Sequence, residues 1–183
     1  SVVESLNREK RYPVRYVSTK GKEDIFVGPV AAVHGNNREK VAQSIAEADV
    51  MATAVGVRVL KFIAPNIAEG IRRRMQTGGK PLNIIICENL IDADKLLASL
   101  IKEQLSEDEK TWFEDNIGLV EASIGRMVPV QTEDMKEGAP LRVCVERYGF
   151  LPVDQAAFKG EIPSIKNMVP HIPFGFYIER KLY

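Results

Sequence analysis

Residues 84–87, Ile-Ile-Ile-Cys, form a continuous apolar run that stops abruptly at Glu88-Asn89. A short β-branched run with no polar alternation reads as a strand buried on both faces, which is the habit of a parallel sheet. Pro81 precedes the run, and an acidic helix start over 92–94 follows it. In open α/β sheets ligands gather just beyond the carboxyl ends of such strands. Glu88 and Asn89 stand at that edge and are the first candidates for chemistry.

The rest of the chain fits the same architecture. Residues 1–10 read as an amphipathic helix with Val2, Val3 and Leu6 on one face. Residues 12–18 and 24–33 read as two strands of a hairpin around Gly21. Asn36-Asn37 predicts a cap for a helix over 38–48. Residues 49–56 read as a buried strand ending in small residues. Leu60, Ile63, Ala64, Ile67, Ala68 and Ile71 have helical spacing, with Pro65 expected to kink or restart the helix and Gly78-Gly79 to end it. Leu96, Leu97, Leu100, Ile101 and Leu105 mark the next helix, and Ser106-x-x-Glu109 caps a short one carrying Trp112 and Phe113. Residues 119–130 read as a strand region, and 141–146 alternate like an antiparallel strand with one wet face. After Gly149 the prolines at 152, 163, 170 and 173 suggest a connection, and Pro173 opens a further helix. The order predicts an α/β fold, mostly a parallel sheet with right-handed crossovers placing helices on both faces. The expected organisation is a partial domain over 1–154, a Pro-rich linker over 155–172, and the start of a helical C-terminal domain over 173–183. A chain that opens in one amphipathic helix and closes in another reads as a piece of a longer protein.

Charge argues against several classes. Lysine plus arginine balance aspartate plus glutamate at 25 each, so no field favours nucleic acid or an anionic membrane. Arg72-Arg73-Arg74, the dense basic run, sits where cations complement a helix C-terminus. Cys87 and Cys144 lack metal spacing and read as buried free thiols, which fits a reducing, cytoplasmic setting. His34 and His171 are too isolated to argue for a metal. No apolar run approaches the ~20 residues of a membrane span.

Five segments together resemble the long-chain polyol dehydrogenases, the mannitol dehydrogenase group. They are T-A-V-G at 53–56, L-N-I-I-I-C-E-N at 82–89, G-R-M-V-P at 125–129, F-K-G-E-I-P at 158–163 and Y-I-E-R-K-L-Y at 177–183. Each is weak alone, but their order and spacing cover essentially the whole chain. The C-E-N and T-A-V-G forms look most like the mannitol-1-phosphate branch. The resemblance implies an incomplete Rossmann-type domain. The family opens with a glycine-rich phosphate loop and an acidic ribose-binding residue. Gly21, Gly28 and Gly35 are spaced too widely to supply that loop.

The resemblance also implies a chemistry. Oxidising a secondary alcohol needs a base, a donor to the alkoxide, and a hydride acceptor. Lys181 would be the base, Asn89 the oxyanion donor, and Thr53, Ala54, Val55 and Gly56 the stretch beside NAD. Arg126 and Glu88 would face the substrate, a sugar alcohol or ketose that is free or phosphorylated. Related sequences read V-D-R where this chain has Ile124-Gly125-Arg126, so a carboxylate before Arg126 is lost. The blander readings are a solvated helix-end lysine at 181, a turn asparagine at 89 and a structural ion pair at Arg126. A sugar-acid (altronate or fructuronate type) oxidoreductase and a non-catalytic binding module of the same fold are the alternatives. The choice of NAD over NADP and the oligomeric state stay open.

Overall fold

In the computed structural model, residues 1–172 are described, and they fall into two compact units. The first unit comprises residues 1–36 and 125–149, and the second begins at residue 37, leaves at 124 and resumes at 150.

In the first unit, α1 (Val2–Glu9) opens with a capping box in which the Ser1 hydroxyl accepts from the Glu4 N–H and the Glu4 carboxylate accepts in return. Strands β1 (Tyr12–Ser18) and β2 (Gly21–Val27) form the expected antiparallel hairpin. β2 ends at Val27, short of the expected 33, because Gly28-Pro29 follows and proline has no N–H for the ladder. Arg15 and Asp24 face each other across the hairpin in a two-pronged ion pair of 2.6 and 2.7 Å. Glu137 joins Arg15 at 2.6 Å and Lys22 at 3.0 Å. Arg15 first and Lys22 second hold the Glu137 carboxyl down at about 2.

The second unit begins with α2 (Arg38–Glu47), capped by Asn37 as the sequence suggests. It continues through β3 (Val50–Thr53), α3 (Leu60–Gln76), β4 (Leu82–Ile86), α4 (Ala93–Lys102), α5 (Glu107–Asn116) and β5 (Ile117–Glu121). β3, β4 and β5 lie parallel in that order, and every residue of β4 is buried. The pleat sorts β4 by parity. Leu82, Ile84 and Ile86 join the helices' apolar faces, including Ile67, Ile71, Leu97 and Ile101. Ile85 faces the opposite way, to a smaller cluster with Val120, Ala122 and Val153.

The expectation of helices on both faces is corrected here. The helices among the described residues of this unit share one core cluster. The strand order runs 3-4-5 without reversal, and right-handed crossovers that all step the same way land on one face. The other face is covered by β7 (Leu151–Asp154) and by Ala157, Phe158 and Met168. β7 pairs in parallel with β8 (Met168–His171), so the segment after Gly149 contributes strands and fully buried Val153 rather than a bare connection.

Three further expectations change. Pro65 lies inside an unbroken α3. It removes one hydrogen bond in the second turn, and buried Ala64, Ile67, Ala68 and Ile71 hold the helix through it. β5 spans 117–121 rather than 119–130, after which the chain leaves for the first unit at Gly125. Before β6 comes the short α6 (Glu133–Lys136). β6 (Val143–Glu146) pairs parallel to β1, not antiparallel. Nor does it keep one wet face: consecutive Cys144 and Val145, which point to opposite faces, are both buried.

The basic run is structural. Arg72 bonds Glu109 at 2.6 Å and Glu69 at 2.5 Å, and Arg73 pairs with Glu39. Arg74 is buried, and its guanidinium donates to the carbonyls of Lys80 (2.6 Å), Ala46 (2.7 Å) and Ala48 (2.8 Å). Burial pulls its pKa down, with Asp49 opposing. Arg74→Met is expected to strand these carbonyls and cost about 3 kcal/mol in urea unfolding. A loss under about 0.5 kcal/mol would mean that water satisfies them equally well.

Candidate cofactor and substrate site

The carboxyl ends of β3, β4 and β5 place three loops side by side. β3 ends at Thr53, which is buried, and its hydroxyl has no partner among the described residues. Ala54, Val55 and Gly56 follow as an exposed turn. Gly56 adopts φ 88°, a left-handed value that costs glycine little and a β-carbon more. A helical turn (Val57–Val59) then runs into α3.

From β4 comes the second loop. The Cys87 N–H donates to the Thr53 carbonyl at 2.9 Å, which extends the ladder by one step. Glu88 is buried, and its two oxygens accept from the Val55 N–H at 3.0 Å and the Gly56 N–H at 2.8 Å. Both oxygens are thus engaged by the backbone of the loop. Asn89 follows immediately and is exposed at the edge. Burial first, and the Glu88 charge second, push the Cys87 thiol up.

Sequence reasoning passed over Glu121, the last residue of β5. Its carboxylate accepts from the Asp92 N–H at 2.9 Å, at the start of α4. Its place was not legible, because the strand region read from the sequence runs on to 130 and puts Glu121 inside it, whereas the strand ends there. Burial first, then the Asp94 charge, raise its pKa. A raised carboxyl favours folding below its ordinary pKa and loses that contribution as pH rises through the raised value. Glu121→Gln keeps an oxygen for Asp92 and removes the charge. It is expected to raise the melting temperature near about pH 7 and to change little near about pH 3. A drop at about pH 7 would show that the charge is needed at the α4 N-terminus.

The structure thus brings together Thr53, Ala54, Val55, Gly56, Glu88 and Asn89. Arg126 belongs to the first unit, where it is half-buried and has no carboxylate partner among the described residues. Lys181 and the expected helix over 173–183 lie outside the described residues. Among the described residues, no group of His, Cys, Asp and Glu is arranged to hold a metal ion, and no helix is long and apolar enough to cross a membrane.

The fold and this edge match a known class. The family model of the mannitol dehydrogenase Rossmann domain covers residues 1–167, and the chain belongs to that family. It is 38% identical over its whole length to mannitol-1-phosphate 5-dehydrogenase of Bacillus licheniformis and 36% identical to that of Bacillus subtilis. The aligned region is 47% and 48% of those proteins, so the chain spans about half the length of the curated relatives it matches. Two solved structures share the fold. A substrate-free D-sorbitol dehydrogenase superposes with TM-score 0.77 at 15% identity, over 97% of this chain and 46% of the other. The Pseudomonas fluorescens mannitol 2-dehydrogenase, solved as a ternary complex with NAD and D-mannitol, gives 0.70 at 10% identity, over 87% and 41%.

Proposed function

We propose that this chain carries part of the cofactor- and substrate-binding machinery of an NAD-dependent polyol dehydrogenase that interconverts a sugar-alcohol phosphate and its ketose phosphate. The observation that carries this reading is the meeting of the small-residue turn 54–56 with Glu88-Asn89 at the carboxyl edge of a parallel sheet. Relatives named mannitol-1-phosphate 5-dehydrogenase support the phosphorylated substrate.

The residues present suit a dinucleotide. Ala54, Val55 and Gly56 are exposed and small enough for close backbone approach, and space is open beside Gly56. The buried, unpartnered Thr53 hydroxyl offers a polar contact beneath them. NAD, when bound, supplies the hydride acceptor. In this reading Asn89 donates a hydrogen bond to the developing alkoxide. Lys181 takes the hydroxyl proton, for which its pKa must fall below the ordinary ~10.4. The free cysteines accord with a reducing, cytoplasmic setting.

The 183-residue chain by itself spans about half of its relatives and is expected to reduce no NAD, followed at about 340 nm with mannitol 1-phosphate. Robust turnover by this chain alone would overturn the division of labour proposed here.

A further inference from the structure

We propose that Glu88 is a positioning residue that locks the turn Val55-Gly56 and the oxyanion donor Asn89 into one body. The inference rests on the functional reading above, which gives the turn to the cofactor and Asn89 to the substrate.

Gly56 provides no side-chain cap for the helical turn that starts at Val57. Glu88 reaches from the loop after β4 to the two residues before that turn and binds their consecutive N–H groups, one with each carboxylate oxygen, at 3.0 and 2.8 Å. Only 6% of Glu88 is exposed, so these charge-assisted bonds are formed away from water. One residue earlier, the Cys87 N–H is tied to the Thr53 carbonyl. Residues 87 and 88 are therefore fastened to 53, 55 and 56, and Asn89 is the next link in the chain. A displacement of the cofactor turn must pull on Asn89, and a displacement of Asn89 must pull on the turn.

The occupant also sets what the turn can receive. With a carboxylate already on the Val55 and Gly56 amides, a second anion would meet like charge. The turn therefore faces an uncharged part of a ligand, not a phosphate.

Hydrogen–deuterium exchange on the complete gene product, read on peptides covering 54–57 and 87–91, tests this. Glu88→Gln leaves one acceptor and points an NH2 at an N–H. It is expected to speed exchange about tenfold or more in both peptides, with 82–86 and 117–121 unchanged. Glu88→Asp is expected to recover part of the protection. Coupling is reciprocal, so Gly56→Ala, strained at φ 88°, should loosen 87–91 although Glu88 is intact. In kinetics the lock predicts that Glu88→Gln raises KM for NAD and lowers kcat together. Faster exchange at 54–57 with 87–91 unmoved would overturn the proposal, as would no change at 54–57. A wild-type protein that reduces no NAD would sink the functional reading and leave the exchange result standing.

Discussion

Gly118→Ala is expected to cost about 3 kcal/mol or more in urea unfolding, a large share of a domain's ~5–15 kcal/mol. Gly118 lies on β5 opposite Asn83 of β4. The Asn83 side-chain oxygen stands in the space a β-carbon would take, and the Ala157 carbonyl lies 2.7 Å from that position. Asn83 is buried and clasps Lys159 in both directions: its Oδ1 accepts from the Lys159 N–H at 2.8 Å, and its Nδ2 donates to the Lys159 carbonyl at 3.0 Å. A methyl at 118 must expel the amide and leave those backbone groups unpaired inside the fold. Asn83 is displaced by one change and removed by the other, so Gly118→Ala and Asn83→Ala together should cost less than the sum of the two single changes, with the clash against the Ala157 carbonyl remaining. Additivity in that cycle would show that Gly118 acts by some route other than Asn83.

Asn89→Ala is expected to lower kcat of the complete enzyme by about 10²–10³ while KM for the polyol changes little. The donor is needed where charge develops on the oxygen, so its loss raises the barrier more than it weakens ground-state binding. Asn89→Asp should be at least as damaging, since a carboxylate repels the alkoxide. Neighbouring Leu90 is also exposed, and Leu90→Ala serves as the control expected to be near neutral. A kcat within about twofold of wild type in Asn89→Ala would remove Asn89 from the chemistry and return it to the role of a turn residue.

What the sequence discloses depends on whether the physics is local. The run 84–87 reads as a doubly buried strand because period and burial are written in consecutive residues; β4 is buried throughout but ends at Ile86, and Cys87 beyond it is half-buried. The capping box at Ser106-x-x-Glu109 and the Asn37 cap are likewise local, and both form. The direction of β6 is not local: its alternation is the same whichever way β1 runs beside it. Nor is the placement of the helices on one face, which follows from strand order. Val153 is hidden among prolines, and its burial arises only when β7 meets the face of Ile85 and Val120. At the site, Glu88 and Asn89 are visible as polar residues ending an apolar run. The bond from Glu88 to residues 55 and 56 spans more than thirty positions and no pattern announces it. Arg74 looks like one of three equivalent cations, and only the fold distinguishes it as the buried one.

The most direct test of the central claim is NAD reduction at about 340 nm by the complete gene product containing this chain, offered mannitol 1-phosphate, mannitol and altronate in parallel. The account predicts turnover with the phosphorylated polyol, weaker or none with the other two, and its collapse in Asn89→Ala. A folded, NAD-binding protein that oxidises none of the three, or whose turnover survives Asn89→Ala, would contradict it.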